Sequence, residues 1–374
     1  MTSGTTKALK IIAIPAAIIT YVIVSGTTGF CPMCEAVVNT VGTNVGIIPV
    51  AHQPASTPSD EPDTPEAEPA DPAEPEFKQM KRPGSVDINE TYDTSNPQIP
   101  LDEVHSLLPK DAIPSLTDPA FEPVADSDWL TDDARVIVLE GKEAAFAVPL
   151  TILDSHEVVN IALDGKPIAA TYCPLCDSAT VISRTVTHNG EEQVLEFGVS
   201  GALYNSNVLM YDRTHNGLWS QLGMRAVTGP LAGTKLDHLP VRIWSWKRFR
   251  LAHPDGSVLS KDTGHQRPYG KNVYERYFSS DNLMVPVRDV GDALEQKKTL
   301  GLGVLAGGNS YFIPHDAIGE DGYTLSTPMG DVTVEFQDGG IDVTSAPEGV
   351  HTAQTFYYSW SAFNHNTKVI PSDS

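Results

Sequence analysis

The sequence predicts a mainly β protein with a few short helices, an α+β chain whose β-rich part is two pseudo-repeated halves packed as one globular unit. Three observations carry this. The C-terminal two thirds breaks into short runs of β-branched and aromatic residues separated by glycine or charged turns. Three blocks of that region recur in the same order. An apolar N-terminal run and an acidic, proline-rich stretch stand apart from it in composition.

The strands come first. Arg135–Glu140 (RVIVLE), 144–149, 167–172 and 179–183 are β-rich, and the turns between them include Glu140-Gly-Lys and Asp164-Gly-Lys. Trp246–Ala252 is expected to form a short helix, stopped at His253-Pro254. Residues 136–150 (VIVLEGKEAAFAVPL) align by type with 300–313 (LGLGVLAGGNSYFI), and 165–181 align more loosely with 330–343. Trp246-x-x-Phe249 is matched by Trp360-x-x-Phe363. The expected globular domain spans 118–371, with related halves at about 135–262 and 298–371.

Lys7 and Lys10 precede an apolar run at 11–30, and Glu35 is the next charge after it. About 20 such residues can cross a hydrocarbon core. With the lysines before the run, residues 1–10 are expected in the cytoplasm and the rest outside. The alternative is a cleaved signal peptide cut near Ser25 and Gly26. The expected location is therefore the inner (cytoplasmic) membrane, single-pass, with the domain on the periplasmic or extracytoplasmic side. Residues 31–50 form a membrane-proximal segment, and 51–100 an acidic linker expected to be disordered. Residues 51–80 alone hold seven prolines and eight acidic residues against one lysine, Lys78. Proline stiffness and like-charge repulsion extend such a stretch, so 30 residues could span on the order of 90 Å. The chain carries 48 acidic and 25 basic residues, a net charge of -23, which disfavours nucleic acid as a partner.

All four cysteines lie in two Cys-Pro-x-Cys pairs, Cys31 with Cys34 and Cys173 with Cys176. That spacing lets two sulfurs share one site, as a disulfide or as metal ligands. The second pair falls between two strands, at a hairpin tip, rather than at a helix start as in thioredoxin-like sites. Such a tip supplies two thiolates, and His156, 17 residues earlier, is the candidate third ligand for copper or zinc. His188, His215 and His265 are alternatives. A second reading makes Cys173 and Cys176 a thiol–disulfide redox pair, in exchange with Cys31 and Cys34; either reading calls for a redox or metal-transfer partner. A third treats the cysteines as structural and places a small ligand against Tyr204, Asn205, Ser206, Asp212, Arg213, Trp219 and Gln221.

The segments 171–176 (TYCPLC), 197–206 (FGVSGALYNS), 210–213 (MYDR) and 218–221 (LWSQ), with 156–160 (HEVVN), 229–233 (GPLAG) and the aromatic run 356–363, are specific in combination. Together they resemble the bacterial family catalogued as domain of unknown function 3179, over residues 118–369. Members typically carry tryptophan where this chain has Ser155, and often glycine where it has Asp177. The resemblance implies where the site lies and implies no reaction; Cys31 and Cys34 fall outside it.

Overall fold

The computed structural model describes residues 85–270, 274–288, 290–337 and 340–372. The expected anchor, the Cys31–Cys34 pair and the linker up to residue 84 lie outside them. Among the described residues no helix is long and apolar enough to cross a membrane.

The chain is mainly β, with few short helices. Strands β1 (Arg135–Glu140) and β2 (Ala145–Pro149) form an antiparallel hairpin. Alternation explains its burial on both faces: Ile137 and Leu139 enter one apolar cluster, Val136 and Val138 the opposite one. Helix α1 (Leu150–His156) follows and ends where Glu157 turns left-handed, φ 56°, with its N–H on the Leu153 carbonyl. Strands β3 (Val158–Leu163), β4 (Lys166–Cys173) and β5 (Ser178–Ser183) make an antiparallel meander. Its first turn is Asp164-Gly165, with φ 50° and 74°, the conformation that two-residue hairpins favour.

Strands β6 (Phe197–Tyr204), β7 (Asn207–Asp212) and β8 (Leu218–Ser220) belong to a separate antiparallel sheet. Next come β9 (Ile243–Ser245), antiparallel to β1, and α2 (Trp246–Ala252), whose first turn is capped by the Ser245 hydroxyl accepting from the Arg248 N–H. Strand β10 (Ser257–Leu259) runs parallel to β2, giving the order β9-β1-β2-β10. One helical turn, α3 (Glu275–Phe278), leads toward the second half.

There β11 (Leu300–Ala306) and β12 (Asn309–Pro314) form a hairpin, and β13 (Tyr323–Thr327), β14 (Gly330–Gln337) and β15 (Gly340–Ser345) a meander. Strand β16 (His351–Phe356) pairs antiparallel with β11, α4 (Tyr357–Phe363) follows, and β17 (Lys368–Val369) lies parallel to β12. The order β16-β11-β12-β17 has the same senses as β9-β1-β2-β10. One difference from the sequence alignment concerns the tryptophans. Trp246 opens α2, whereas Trp360 is the fourth residue of α4 and takes the place of Phe249. The two helices match only when that block is shifted by about one turn.

The linker boundary also moves. Residues 85–100, expected to be part of the disordered linker, carry a helical turn at Ile88–Thr91, and Ile88, Tyr92 and Ile99 are buried. They pack with Leu209, Tyr211 and Leu218 of β7 and β8. The folded region therefore begins before residue 118.

Strand β5 joins β16 at the pair Ala179–Gln354, which merges the first meander and the second four-strand unit into one sheet. That junction brings the β4–β5 turn against the start of α4.

Candidate functional site

The Cys173-Pro-Leu-Cys176 segment is a hairpin tip, as the flanking strands imply. Cys173 is the last residue of β4 and pairs with Ser178, and the Cys176 N–H donates to the Cys173 carbonyl at 3.2 Å. Both cysteines are free and buried, 1% and 0% exposed, and their sulfurs stand 3.4 Å apart.

A second hairpin tip meets the first. Asn205 and Ser206 link β6 to β7 with φ 49° and 59°. The Ser206 carbonyl accepts from the Cys176 thiol at 3.1 Å. Asn207 directs its amide nitrogen at Gln221 Oε1 (2.9 Å), Ser178 Oγ (3.2 Å) and the Cys176 sulfur (3.4 Å). Gln221 in turn donates to Thr171 Oγ1 and the Ser178 carbonyl. Helix α4 closes the third side: the Tyr358 hydroxyl donates to the Leu175 carbonyl at 2.8 Å and lies 3.6 Å from the Cys176 sulfur. The Phe356 N–H and the Thr355 hydroxyl both donate to the Cys176 carbonyl.

These surroundings separate the two thiols. Burial pushes Cys173 well above the usual thiol range, and the adjacent Cys176 pushes it further. Burial would raise Cys176 too, but hydrogen bonding to its sulfur, from Cys173 above all and from Asn207, outweighs it and holds that thiol below its ordinary value. Cys176 is the sulfur on which negative charge is better supported.

On the far side of the tip, Asp177 has φ 47°, a left-handed conformation that glycine adopts more readily than aspartate. Its carboxylate takes two hydrogen bonds of 2.9 Å from the Arg135 guanidinium and one of 2.7 Å from the Tyr172 hydroxyl. Those three bonds hold the turn in a shape that costs aspartate more than glycine.

His156 does not join the cysteines. Its Nδ1 donates to the Pro114 carbonyl at 2.6 Å, which leaves Nε2 to accept from the Tyr269 hydroxyl, also at 2.6 Å. Burial lowers it to about 4, so it is neutral at pH 7. His265 lies beside it, ring centroids 5.3 Å apart, while His188 and His215 pair with each other. Among the described residues no three His, Cys, Asp or Glu side chains converge to hold a metal ion. The tip therefore offers two thiols and no third ligand, a donor set that fits neither a closed structural zinc site nor a three-ligand catalytic one.

The expected ligand wall separates into two groups. Asn205, Ser206 and Gln221 border the dithiol, and Tyr204 packs edge-on against Phe363. Asp212 ends β7, roughly 17 Å along the strand from Asn207 at ~3.3 Å per residue, and Trp219 lies in β8 opposite Met210, in the apolar cluster that holds both cysteines. There Asp212 accepts from the Trp219 indole (2.9 Å) and the His215 ring (3.1 Å). Arg213 pairs with Asp111 and Glu196. Asp212 and Arg213 are thus engaged away from the thiols, and Trp219 packs beside the dithiol while its indole is committed to Asp212. Asn207 and Tyr358 touch the Cys176 sulfur as well; Asn207 stands just past the segment 197–206, and Tyr358 lies in the aromatic run 356–363 with nothing local to tie it to the cysteines.

The site is thus a buried dithiol at the meeting of two hairpin tips and one helix, inside a β-rich domain. A family model described as Protein of unknown function (DUF3179) matches residues 110–367, and the chain belongs to that family. No curated protein and no solved structure matches it.

Proposed function

We propose that the chain is an exported, membrane-tethered thiol–disulfide oxidoreductase working through Cys173 and Cys176. The observation that carries this reading is the 3.4 Å between two free sulfurs. A disulfide needs about 2.05 Å, so the bond can form with a movement of roughly 1.4 Å. Cys176, better able to carry charge, is the attacking thiolate. It attacks one sulfur of a substrate disulfide R–S–S–R, forming a mixed disulfide and releasing one R–S⁻. Cys173 then loses its proton and attacks the Cys176 sulfur, releasing the second R–S⁻. The two thiol protons end on the two leaving groups, and two electrons pass to the substrate.

Copper or zinc binding is the weaker reading, because the third ligand it needs is engaged elsewhere. Export and tethering rest on Lys7, Lys10, the apolar run at 11–30 and the acidic stretch that follows. The matching strand orders on either side of α3 support a duplication as the origin of the two halves.

The full chain carrying Cys31→Ser and Cys34→Ser isolates the domain pair. Equilibrated in thiol–disulfide buffers and trapped by alkylation, it should pass from two labels to none in one two-electron step. A midpoint above about -300 mV is expected, because stabilising the thiolate stabilises the reduced form. A lower midpoint marks an inert structural bridge; two labels under every condition rule out the pair altogether.

A further inference from the structure

The exchange just described needs an entrance, because neither sulfur is exposed. One cavity, of about 260 Å³, lies beside the dithiol turn and is walled by neighbours of Asp177 rather than by the turn itself. Its walls include Arg135 and Tyr172, the two side chains that hold Asp177. Tyr172 precedes Cys173 and Asp177 follows Cys176. Phe278, the last residue of α3, forms another part of the wall and packs edge-on against Phe356. Its neighbour Tyr277 belongs to the apolar cluster that contains both cysteines. One helical turn therefore places an aromatic ring in the cavity and the next ring among the residues that cover the thiols. That turn is held from outside by Lys298, whose ammonium donates to the carbonyls of Tyr277 and Ser280 and lies 3.4 Å from the centre of the Tyr277 ring.

The cavity selects by charge and by size. Arg135 is committed to Asp177 through two hydrogen bonds. The other charged residues of the wall are carboxylates, Asp133 and Asp154. The chain as a whole, at -23, attracts cations and repels anions. Phe278 adds a ring against which an ammonium group can rest. The Thr151 hydroxyl also lines the cavity, buried and without a hydrogen-bond partner among the described residues. At ~30 Å³ per water, the volume equals about nine waters. That suits a ligand of about that many heavy atoms and is far too small for a folded protein's disulfide or a peptide-sized one.

We propose that this cavity docks a small disulfide bearing amino groups, the substrate class of the oxidoreductase reading on which this inference rests. The ammonium groups meet Asp133 and Asp154, and displacement of α3 brings the substrate sulfur to Cys176. Attack and release then follow the exchange given above: the substrate leaves as two small aminothiols and the protein keeps the disulfide.

The test uses the full chain with Cys31→Ser and Cys34→Ser and three reagents. These are cystamine, with two ammonium groups; bis(2-hydroxyethyl) disulfide, which is neutral; and 3,3′-dithiodipropionate, with two carboxylates. Thiol loss is timed for each, and each rate is divided by that of the same reagent with the urea-unfolded protein, which removes intrinsic reactivity. Cystamine should then be at least tenfold faster than the neutral reagent, and the dianion slowest. The non-reactive 1,4-diaminobutane should compete with cystamine. Asp154→Asn should reduce the preference severalfold, and so should Asp133→Asn, whose carboxylate is at the surface and whose loss leaves the core untouched. Equal normalised rates for the three reagents, or a preference unchanged in both variants, overturn the docking site and leave the redox reading standing. If none of the three oxidises the folded chain, both fall.

Discussion

Replacing Asp342 by alanine is expected to lower the stability of the folded chain by about 3–5 kcal/mol, the range for removing one partner of a buried ion pair. Asp342 lies in β15 of the second half and is 0% exposed. Every side chain its carboxylate binds comes from the first half. Arg242 Nε donates to it at 2.7 Å, Arg248 at 2.9 Å and the Trp244 indole at 2.9 Å. The two guanidinium groups also lie over the Trp244 ring, at 4.5 and 4.1 Å from its centre. Alanine would leave two cations against one indole with no carboxylate between them, and the indole N–H without its acceptor. Arg242 keeps a contact with Glu140, and Arg248 a longer one with Glu335, which limits the loss. Asp342→Asn should fall between the two, since its amide oxygen can still accept from Trp244. Urea unfolding of the full chain reads this as a shift in midpoint at constant slope. A shift below about 1 kcal/mol would mean that this carboxylate does not join the halves.

What could be read ahead of the structure was what depends on neighbours in the chain. The strand at Arg135–Glu140 and the helix at Trp246–Ala252 fall where local pattern places them, the one through its run of β-branched residues, the other through the stop at His253-Pro254. The hairpin tip at Cys173-Pro-Leu-Cys176 was legible for the same reason, strand, turn and strand being contiguous. Its partners were not. Asn207 is 31 positions from Cys176 and Tyr358 is 182 away, and nothing in either segment states which strand it will face. The packed residues at 85–100 were missed because a composition window averages over proline and acid, while packing needs only Ile88, Tyr92 and Ile99.

His156 shows a subtler failure. It does precede the strand that pairs with the cysteine-bearing one, with Val158 opposite Thr171. But His156 ends a helix, and the left-handed Glu157 reverses the chain before β3 begins. Proximity in sequence passes to the wrong residue. Glu157, not His156, is the group whose charge acts on Cys173. The imidazole points away, to Pro114 and Tyr269.

That placement makes His156 an acid sensor of stability. In the folded chain it is held neutral, its value lowered from 6.5 to about 4 by burial. Unfolded, it takes a proton near 6.5. Between those values the unfolded state binds more protons than the folded one, so stability falls as pH falls. The contribution is fully present above pH 6.5 and is lost progressively down to about 4. A shift of this size, on a side chain that is 0% exposed, corresponds to a loss on the order of 3 kcal/mol across the window. Below about 4 the folded state must accept the proton. Nδ1 already donates to Pro114, so protonation of Nε2 would set a second donor against the Tyr269 hydroxyl. That hydroxyl would have to turn its proton away from the ring, toward Thr263 at 2.6 Å, and accept from Nε2 instead. Carboxylates and the other histidines that burial lowers, His105, His238 and His351, add their own pH dependence. They add it equally to a His156→Gln chain, which has no group titrating there. Urea midpoints for both chains at pH 7, 5.5 and 4.5 therefore isolate the effect. The wild type should lose most of the 3 kcal/mol relative to the variant between the first and last of these. Parallel pH profiles would show that the ring is not held neutral by its burial.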